Sequence, residues 1–144
     1  MKLSARVKDV MDENVVTVDA NTTVSDAIRM MIQKKVWSVI VLERGLPTGV
    51  VVDHDVITRC VDKGLDVKRV KVREIMSSPL LLTEAEAPVG EAMMKMVQTG
   101  VRRLYIVEKG KVVGRITQKS ALENSLNLML TLSSLTSSAE VAPS

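Results

Sequence analysis

One pattern is written twice in this chain. Shifting the sequence by 65 residues lays residues 7–57 on residues 72–122 without a gap. Identical pairs include Val7/Val72, Met11/Met76, Val24/Val89, Ala27/Ala92, Met31/Met96, Val36/Val101, Gly45/Gly110 and Gly49/Gly114. Other pairs keep their character, such as Val10/Ile75, Asp26/Glu91, Ile32/Val97 and Val51/Ile116. Any fold for this chain has to house two copies of one supersecondary unit, and whatever one copy offers at its surface the other offers again in altered form.

The unit can be read from its periodicities. Thr23 is placed to cap a helix with Asp26 three residues on, and Val24, Ala27, Ile28, Met31 and Ile32 then fall on one helical face. In the second copy Pro88 stands where a first helical residue would, ahead of Val89, Ala92, Met93, Met96 and Val97. The apolar runs 36–42 and 101–107 are too short for helices and rich in β-branched residues, which predicts buried strands. Glu43-Arg44-Gly45 and Glu108-Lys109-Gly110 supply turns, and 48–52 and 112–117 return as hairpin partners, each followed by a helix. With short β segments at 15–18 and 80–82, each unit reads β-α-β-β-α.

Two helices cannot cover both faces of a three-stranded sheet. The expected fold is therefore α+β, with two pseudo-twofold-related repeats packed sheet against sheet. Repeat 1 is assigned to residues 5–62 and repeat 2 to 72–124, with a charged, glycine-punctuated surface linker at 63–71. Residues 125–144 read as a further helix, carrying Leu126, Met129 and Leu132, that frays from Ser133 onward.

Composition excludes several functions. With one Trp, one Tyr and no Phe among 144 residues the core is aliphatic, and the aromatic platforms used by single-strand nucleic-acid binders are missing. A net charge of +3 with both signs interspersed describes a solvated surface and speaks against a nucleic-acid partner. One cysteine and one histidine rule out a disulfide framework and a thiolate zinc site, and Cys60, in the apolar stretch with Val56, Ile57 and Val61, reads as buried filler. No apolar run reaches the ~20 residues that span a bilayer. Residues 1–6 lack the apolar centre of a signal peptide, so no membrane association and a cytoplasmic location are expected. No nucleophile–base pair, metal cluster or carboxylate pair stands out, and an enzyme is not expected.

The chemistry concentrates where each hairpin hands over to its second helix. In the first copy this is Gly49-Val50-Val51-Val52-Asp53-His54-Asp55, an apolar strand running into polar residues; in the second, Gln118-Lys119-Ser120 replaces Asp53-His54-Asp55. A strand-to-helix junction leaves backbone N–H groups pointing outward, so its polar side chains face whatever binds at the strand's end.

Val7-Lys8-Asp9-Val10-Met11, the helix start Thr23-Val24-Ser25-Asp26-Ala27 and this junction resemble a cystathionine-β-synthase-type (CBS) domain. The second copy resembles it too, through 72–76, 100–107 and Gly114-Arg115-Ile116-Thr117, so that the resemblance covers about residues 5–124. It implies a tandem pair, or Bateman module, that binds adenine nucleotides or related adenosyl ligands in clefts between the repeats. Such modules are commonly disc-shaped homodimers without chemistry of their own. In relatives the junction reads Gly-hydrophobic-x-Thr/Ser-x-x-Asp, the Asp accepting from both ribose hydroxyls and the Thr or Ser holding ribose or phosphate. Here the pattern is divided: the first copy has Asp55 but Val52 at the hydroxyl position, the second has Thr117 but Ser120 at the acid position. A charge-assisted bond is about twice as strong as a neutral one, so the cleft at Asp55 is favoured. The resemblance further implies that Arg102, Arg103 and Lys119 reach from the partner repeat to ligand phosphates, that His54 donates to phosphate, and that Ser77, Ser78 and Val101 line sugar and adenine.

Each assignment has a plainer counterpart. Arg102, Arg103 and Lys119 are also ordinary surface charges, Asp55 is also a good helix cap, and Trp37 suits a packing or dimer contact. The resulting expectation is a regulatory module needing no cofactor, with AMP (or ADP, ATP or S-adenosylmethionine) as effector, rearranging a homodimer to act on a separate partner. The alternative is a ligand-free dimeric protein-interaction module.

Overall fold

The computed structural model describes residues 5–141; the first four residues and the last three of the expected tail lie outside the described residues. Its elements in order are α1 (Val7–Val10), β1 (Thr17–Asp19), α2 (Val24–Lys34), β2 (Ser38–Glu43), β3 (Leu46–Val52), α3 (Asp53–Val56) with a π-helical turn Ile57–Val61, α4 (Val72–Ile75), β4 (Leu82–Glu84), α5 (Val89–Thr99), β5 (Arg103–Glu108), β6 (Lys111–Thr117) and α6 (Gln118–Val141). Each copy makes its own sheet, β1-β2-β3 and β4-β5-β6, in which the first pair is parallel and the second an antiparallel hairpin. The hairpins close through Arg44-Gly45 and Lys109-Gly110, with φ of 51° and 76° in both turns, the positive pair that matches strand twist.

The central strands begin two residues later than the apolar runs suggest, because Val36 and Val101 close the preceding helices. Their N–H groups reach back to the Met31 and Met96 carbonyls at 3.0 and 3.1 Å, past left-handed Lys35 and Gly100. At the other end Thr23 caps α2 as expected, its Oγ1 accepting from the Asp26 N–H at 3.1 Å. Pro88 is the cap residue of α5 and not its first helical residue, since its backbone is extended (ψ 142°), and the Val89 N–H after it is taken by the Ala5 carbonyl at 3.1 Å.

The leading segments cross over. Val7 and Lys8 donate to the Ala87 and Ala85 carbonyls of the second copy, at 2.8 and 2.9 Å, while the Val72 N–H bonds to Thr22 of the first at 2.8 Å. The cores follow suit: Val7 is buried with Val89, Met96, Leu104 and Ile116, whereas Val72 and Ile75 are buried with Val24, Met31, Val41 and Val51. The stretch 63–71 is thus more than a surface connection. Val70 is buried, and the Val70 and Val67 carbonyls accept the Val24 and Ser25 N–H groups, each at 2.8 Å, closing the start of α2.

This exchange explains several identities between the copies. A Cβ on Gly49 would lie 2.6 Å from Met76 Sδ, and one on Gly114 would lie 2.7 Å from Met11 Sδ. The methionine that ends each leading segment lies across the glycine of β3 or β6, so a side chain at either position forces its neighbours to shift.

The two sheets meet face to face through Ile40, Leu80 and Tyr105, which form a separate core between the repeats. Ile40 and Tyr105 are themselves a 65-residue pair. On the far side, the expected helical faces are only partly covered: Ile32 is 72% exposed and Val97 70%. The last helix of the second copy continues into the tail, α6 running through Val141. Its 24 residues, at ~1.5 Å each, carry it well past the sheet it packs on.

Candidate functional site

At the first junction the backbone is already satisfied. Val52 N–H donates to Asp55 Oδ2 at 2.9 Å, Asp53 N–H to the Trp37 carbonyl at 3.1 Å and His54 N–H to Asp53 Oδ1 at 2.9 Å. Three N–H groups of this strand-to-helix turn are therefore engaged within the chain and do not point outward as expected. Asp55 does serve as a cap, and it does so with one oxygen only.

The other oxygen points at the crossing segment. Asp55 is 5% exposed, and its Oδ1 accepts from Ser77 Oγ at 3.3 Å and lies 3.8 Å from Arg59 Nε. Ser77 is held there by a reciprocal backbone pair with Val50, at 2.8 and 3.0 Å. Arg59 comes from the π-helical turn, and its Nη1 donates to the Ile75 and Met76 carbonyls at 3.2 and 3.0 Å. Val52, Asp55 and Ser77 are thus brought together, with His54 and Ser78 exposed beside them. Arg59 is not among the residues expected at this site, and its one signal in the sequence is the four-residue spacing from Asp55.

The second junction has the same skeleton with neutral groups. Ser120 Oγ accepts from Thr117 N–H at 3.0 Å, the two hydroxyls are 3.2 Å apart, and Ser120 N–H returns a bond to Thr117 Oγ1 at 3.0 Å. Both side chains are satisfied by each other. Gln118 bonds to the Arg102 carbonyl through its N–H (2.9 Å) and to the Val101 carbonyl through Nε2 (3.2 Å), and Arg103 pairs with Thr117 across β5 and β6. Lys119 lies 4.0 Å from Glu123. Val101, Arg102, Arg103, Thr117 and Lys119 therefore gather at this end of the second sheet. The cation in contact with Asp55 is Arg59.

The residues equivalent to Ser77 and Val50 are Asp12 and Arg115, and they behave differently. Arg115 Nη2 donates to Asp12 Oδ2 at 3.1 Å and Nη1 to Ser38 Oγ at 3.4 Å, and Tyr105 OH adds a bond to the same Ser38 oxygen at 3.2 Å. This crossing ties β6 and β5 to β2 between the sheets, and leaves Arg115 Nε buried without a partner. Asp12 is therefore turned toward Arg115, away from the position that Ser77 takes over Asp55.

Beside the first junction, α2, Trp37 and α3 enclose an apolar groove of about 500 Å³ lined by Ile28, Met31, Ile32, Val56 and Ile57. Trp37 is 68% exposed along it. Cys60 is buried as expected, and burial pushes its thiol pKa up, keeping it protonated. Its neighbours in sequence, Ile57 and Val61, are turned outward by the π-helical turn. Among the described residues there is no cluster of metal-ligating groups and no helix long and apolar enough to cross a membrane.

Comparison with known proteins gives one consistent result. The CBS domain family model matches twice, over residues 7–62 and 72–127. The CBS domain-containing protein YhcV of Bacillus subtilis is 34% identical over 108 residues, 75% of this chain and 76% of that protein. Protein MK0525 of Methanopyrus kandleri is 30% identical over 131 residues, 90% of this chain and 67% of its own length. Among solved structures, a conserved protein from Pyrococcus horikoshii superposes with a TM-score of 0.75 at 31% identity, covering 87% of this chain and 95% of that one. A hexameric CBS-CP12 protein from bloom-forming cyanobacteria superposes with a TM-score of 0.76 at 29% identity, covering 85% and 72%. The CBS pair of protein MJ0100, solved with 5′-methylthioadenosine and S-adenosyl-L-methionine, shares the fold at a TM-score of 0.72 and 17% identity, covering 86% and 98%.

Proposed function

Because the chain belongs to the CBS-domain family, as a tandem pair, we propose that it is a regulatory module that binds an adenosyl ligand, AMP first among them, in the cleft at Asp55. The observation that carries this reading is the Asp55 carboxylate itself. It is 5% exposed, fixed by the Val52 N–H through one oxygen, and presents the other to a hydroxyl group. An acceptor held in this way suits a ribose diol, whose two O–H groups form charge-assisted bonds to it. The MJ0100 pair, which has this fold, was solved with two adenosyl compounds, and this supports the reading.

In this reading Ser77, Ser78 and Val101 surround sugar and base, and Thr117 and Val52 flank them. His54, Arg102, Arg103 and Lys119 neutralise the phosphate. The module works in the cytoplasm as a homodimer through the exposed helical faces, and needs no further cofactor. Its ligand shifts the dimer arrangement to the extent that it binds one arrangement better, and a separate protein reads the change. A second reading, a ligand-free dimeric interaction module, draws on one observation: Thr117 and Ser120 satisfy each other at the second junction, so one cleft has already lost its acid.

Calorimetric titration with AMP, ADP, ATP and S-adenosylmethionine tests the proposal, with Asp55→Ser as control. Ser120 shows that serine at this position still caps the junction N–H, so this variant removes the carboxylate and keeps the turn. Asp55-dependent binding of one ligand per chain supports the sensing role. No binding by a folded protein favours the interaction module.

A further inference from the structure

We infer that Arg59 and Ser77 form a latch on Asp55: the Ser77 hydroxyl holds the place of a ribose hydroxyl in the free chain, and Arg59 is the positioning residue that keeps the crossing segment and the carboxylate together. The inference rests on the adenosyl-ligand reading and names how that site opens.

Three observations meet here. First, Asp55 Oδ1 in the free chain already has a hydroxyl donor, Ser77 Oγ at 3.3 Å, of the same kind that a ribose would bring. Second, the segment bearing that hydroxyl has little freedom to retreat. Its backbone is paired with Val50 on both sides, and Met76 and the Ser77 carbonyl sit where a Cβ on Gly49 would be. Third, one guanidinium spans both partners: Nη1 reaches the Ile75 and Met76 carbonyls, and Nε lies 3.8 Å from the carboxylate. A planar fork does this with donors fixed relative to one another, so that one nitrogen serves the two carbonyls while another lies beside the carboxylate.

The backbone pairing recurs between Asp12 and Arg115, and the side-chain arrangement is confined to one cleft. The positions 65 residues on from Asp55 and Arg59 are Ser120 and Asn124, and the counterpart of Ser77 is Asp12, which is engaged by Arg115. The helix differs as well: repeat 1 turns through a π-helical segment at Ile57–Val61, with Asp62 N–H bonded to the Ile57 carbonyl at 2.8 Å, where α6 continues as α-helix. That wider turn presents Arg59 to the end of α4, and π-turns of this sort recur at functional sites.

A ribose entering the cleft displaces the Ser77 hydroxyl by rotation about its side-chain bond while the backbone ladder stays. Ligand occupancy is then felt by the segment 75–78, which leads from the first core into the second sheet. The Ser77 hydroxyl competes with the ligand, and Arg59 supports it.

The test pairs AMP titration with amide hydrogen exchange on wild type, Ser77→Ala, Arg59→Met and Arg59→Lys. Ser77→Ala is expected to bind AMP up to about tenfold more tightly, the worth of one displaced hydrogen bond, with amide exchange at this position and at Val50 unchanged. Arg59→Met is expected to speed exchange at Ser77 and Val50 in the ligand-free protein by about tenfold, the loss of its hydrogen bonds to the segment. Arg59→Lys keeps the charge beside Asp55 and loses the planar fork, so exchange stays fast. Ser77→Ala binding no better than wild type overturns the competition, and unchanged exchange in Arg59→Met overturns the clamp. If no variant binds AMP, the ligand half falls with the reading it rests on, and the exchange data alone decide the clamp.

Discussion

Gly49 and Gly114 carry the tightest steric demand among the glycines, and both follow from the crossing of the leading segments. A Cβ at Gly49 meets Met76 Sδ at 2.6 Å and the Ser77 carbonyl at 2.8 Å, so Gly49→Ala should destabilise by about 1–3 kcal/mol in urea unfolding. Gly90, with nothing within 4 Å of its Cβ position, is the contrast: Gly90→Ala should raise stability by up to about 1 kcal/mol. A Gly49→Ala chain as stable as Gly90→Ala would mean that the crossing segments yield easily. The glycines could be picked out in the sequence as paired identities, but what opposed them could not, because Met76 reaches Gly49 only after the copies exchange segments. Asp55 was legible for a related reason: a cap and a ribose acceptor call for the same residue type, and the structure gives one oxygen to the cap and the other to the Ser77 hydroxyl. Arg59 was not, since a helical repeat carried through 53–61 ignores the extra residue that the π-helical turn accommodates.

The elements themselves were legible wherever a period was long enough to count, as in α2 and α5, and their ends were not. The strands start late because Val36 and Val101 complete helix C-termini, a backbone matter with no side-chain signature. The pairing of α1 with the second core and α4 with the first escaped a reading by sequence order, which assigns each segment to its nearest neighbour. Between the sheets, Arg115 and Asp12 give a prediction at this scale. The Arg115 guanidinium has one buried nitrogen without a partner, so Arg115→Met, which fills the space without that cost, should change unfolding free energy by less than about 1 kcal/mol. Asp12→Ala strands the guanidinium and should cost more, about 1–2 kcal/mol. The reverse order would show that the ion pair itself holds the repeats together.

At the scale of the molecule, many of the large apolar side chains left exposed among the described residues lie on the helices. Ile32 and Val97 occupy equivalent positions on α2 and α5 and are both largely exposed. A contiguous apolar surface rimmed by charge is the usual mark of an interface. Ile32→Glu combined with Val97→Glu should therefore shift sedimentation toward the monomer while leaving the circular dichroism spectrum unchanged. A wild-type chain that already sediments as a monomer would contradict a dimer on these faces. Two copies of one unit, exchanged at their leading segments and different at their junctions, give a single chain one cleft with an acid and one without. The most direct test of that asymmetry is a titration with AMP beside 2′-deoxy-AMP. The account predicts one AMP site per chain, lost in Asp55→Ser, and at least about tenfold weaker binding without the 2′-hydroxyl, since a charge-assisted bond to Asp55 is removed. Equal affinity for the two nucleotides, or two equivalent sites per chain, would contradict it.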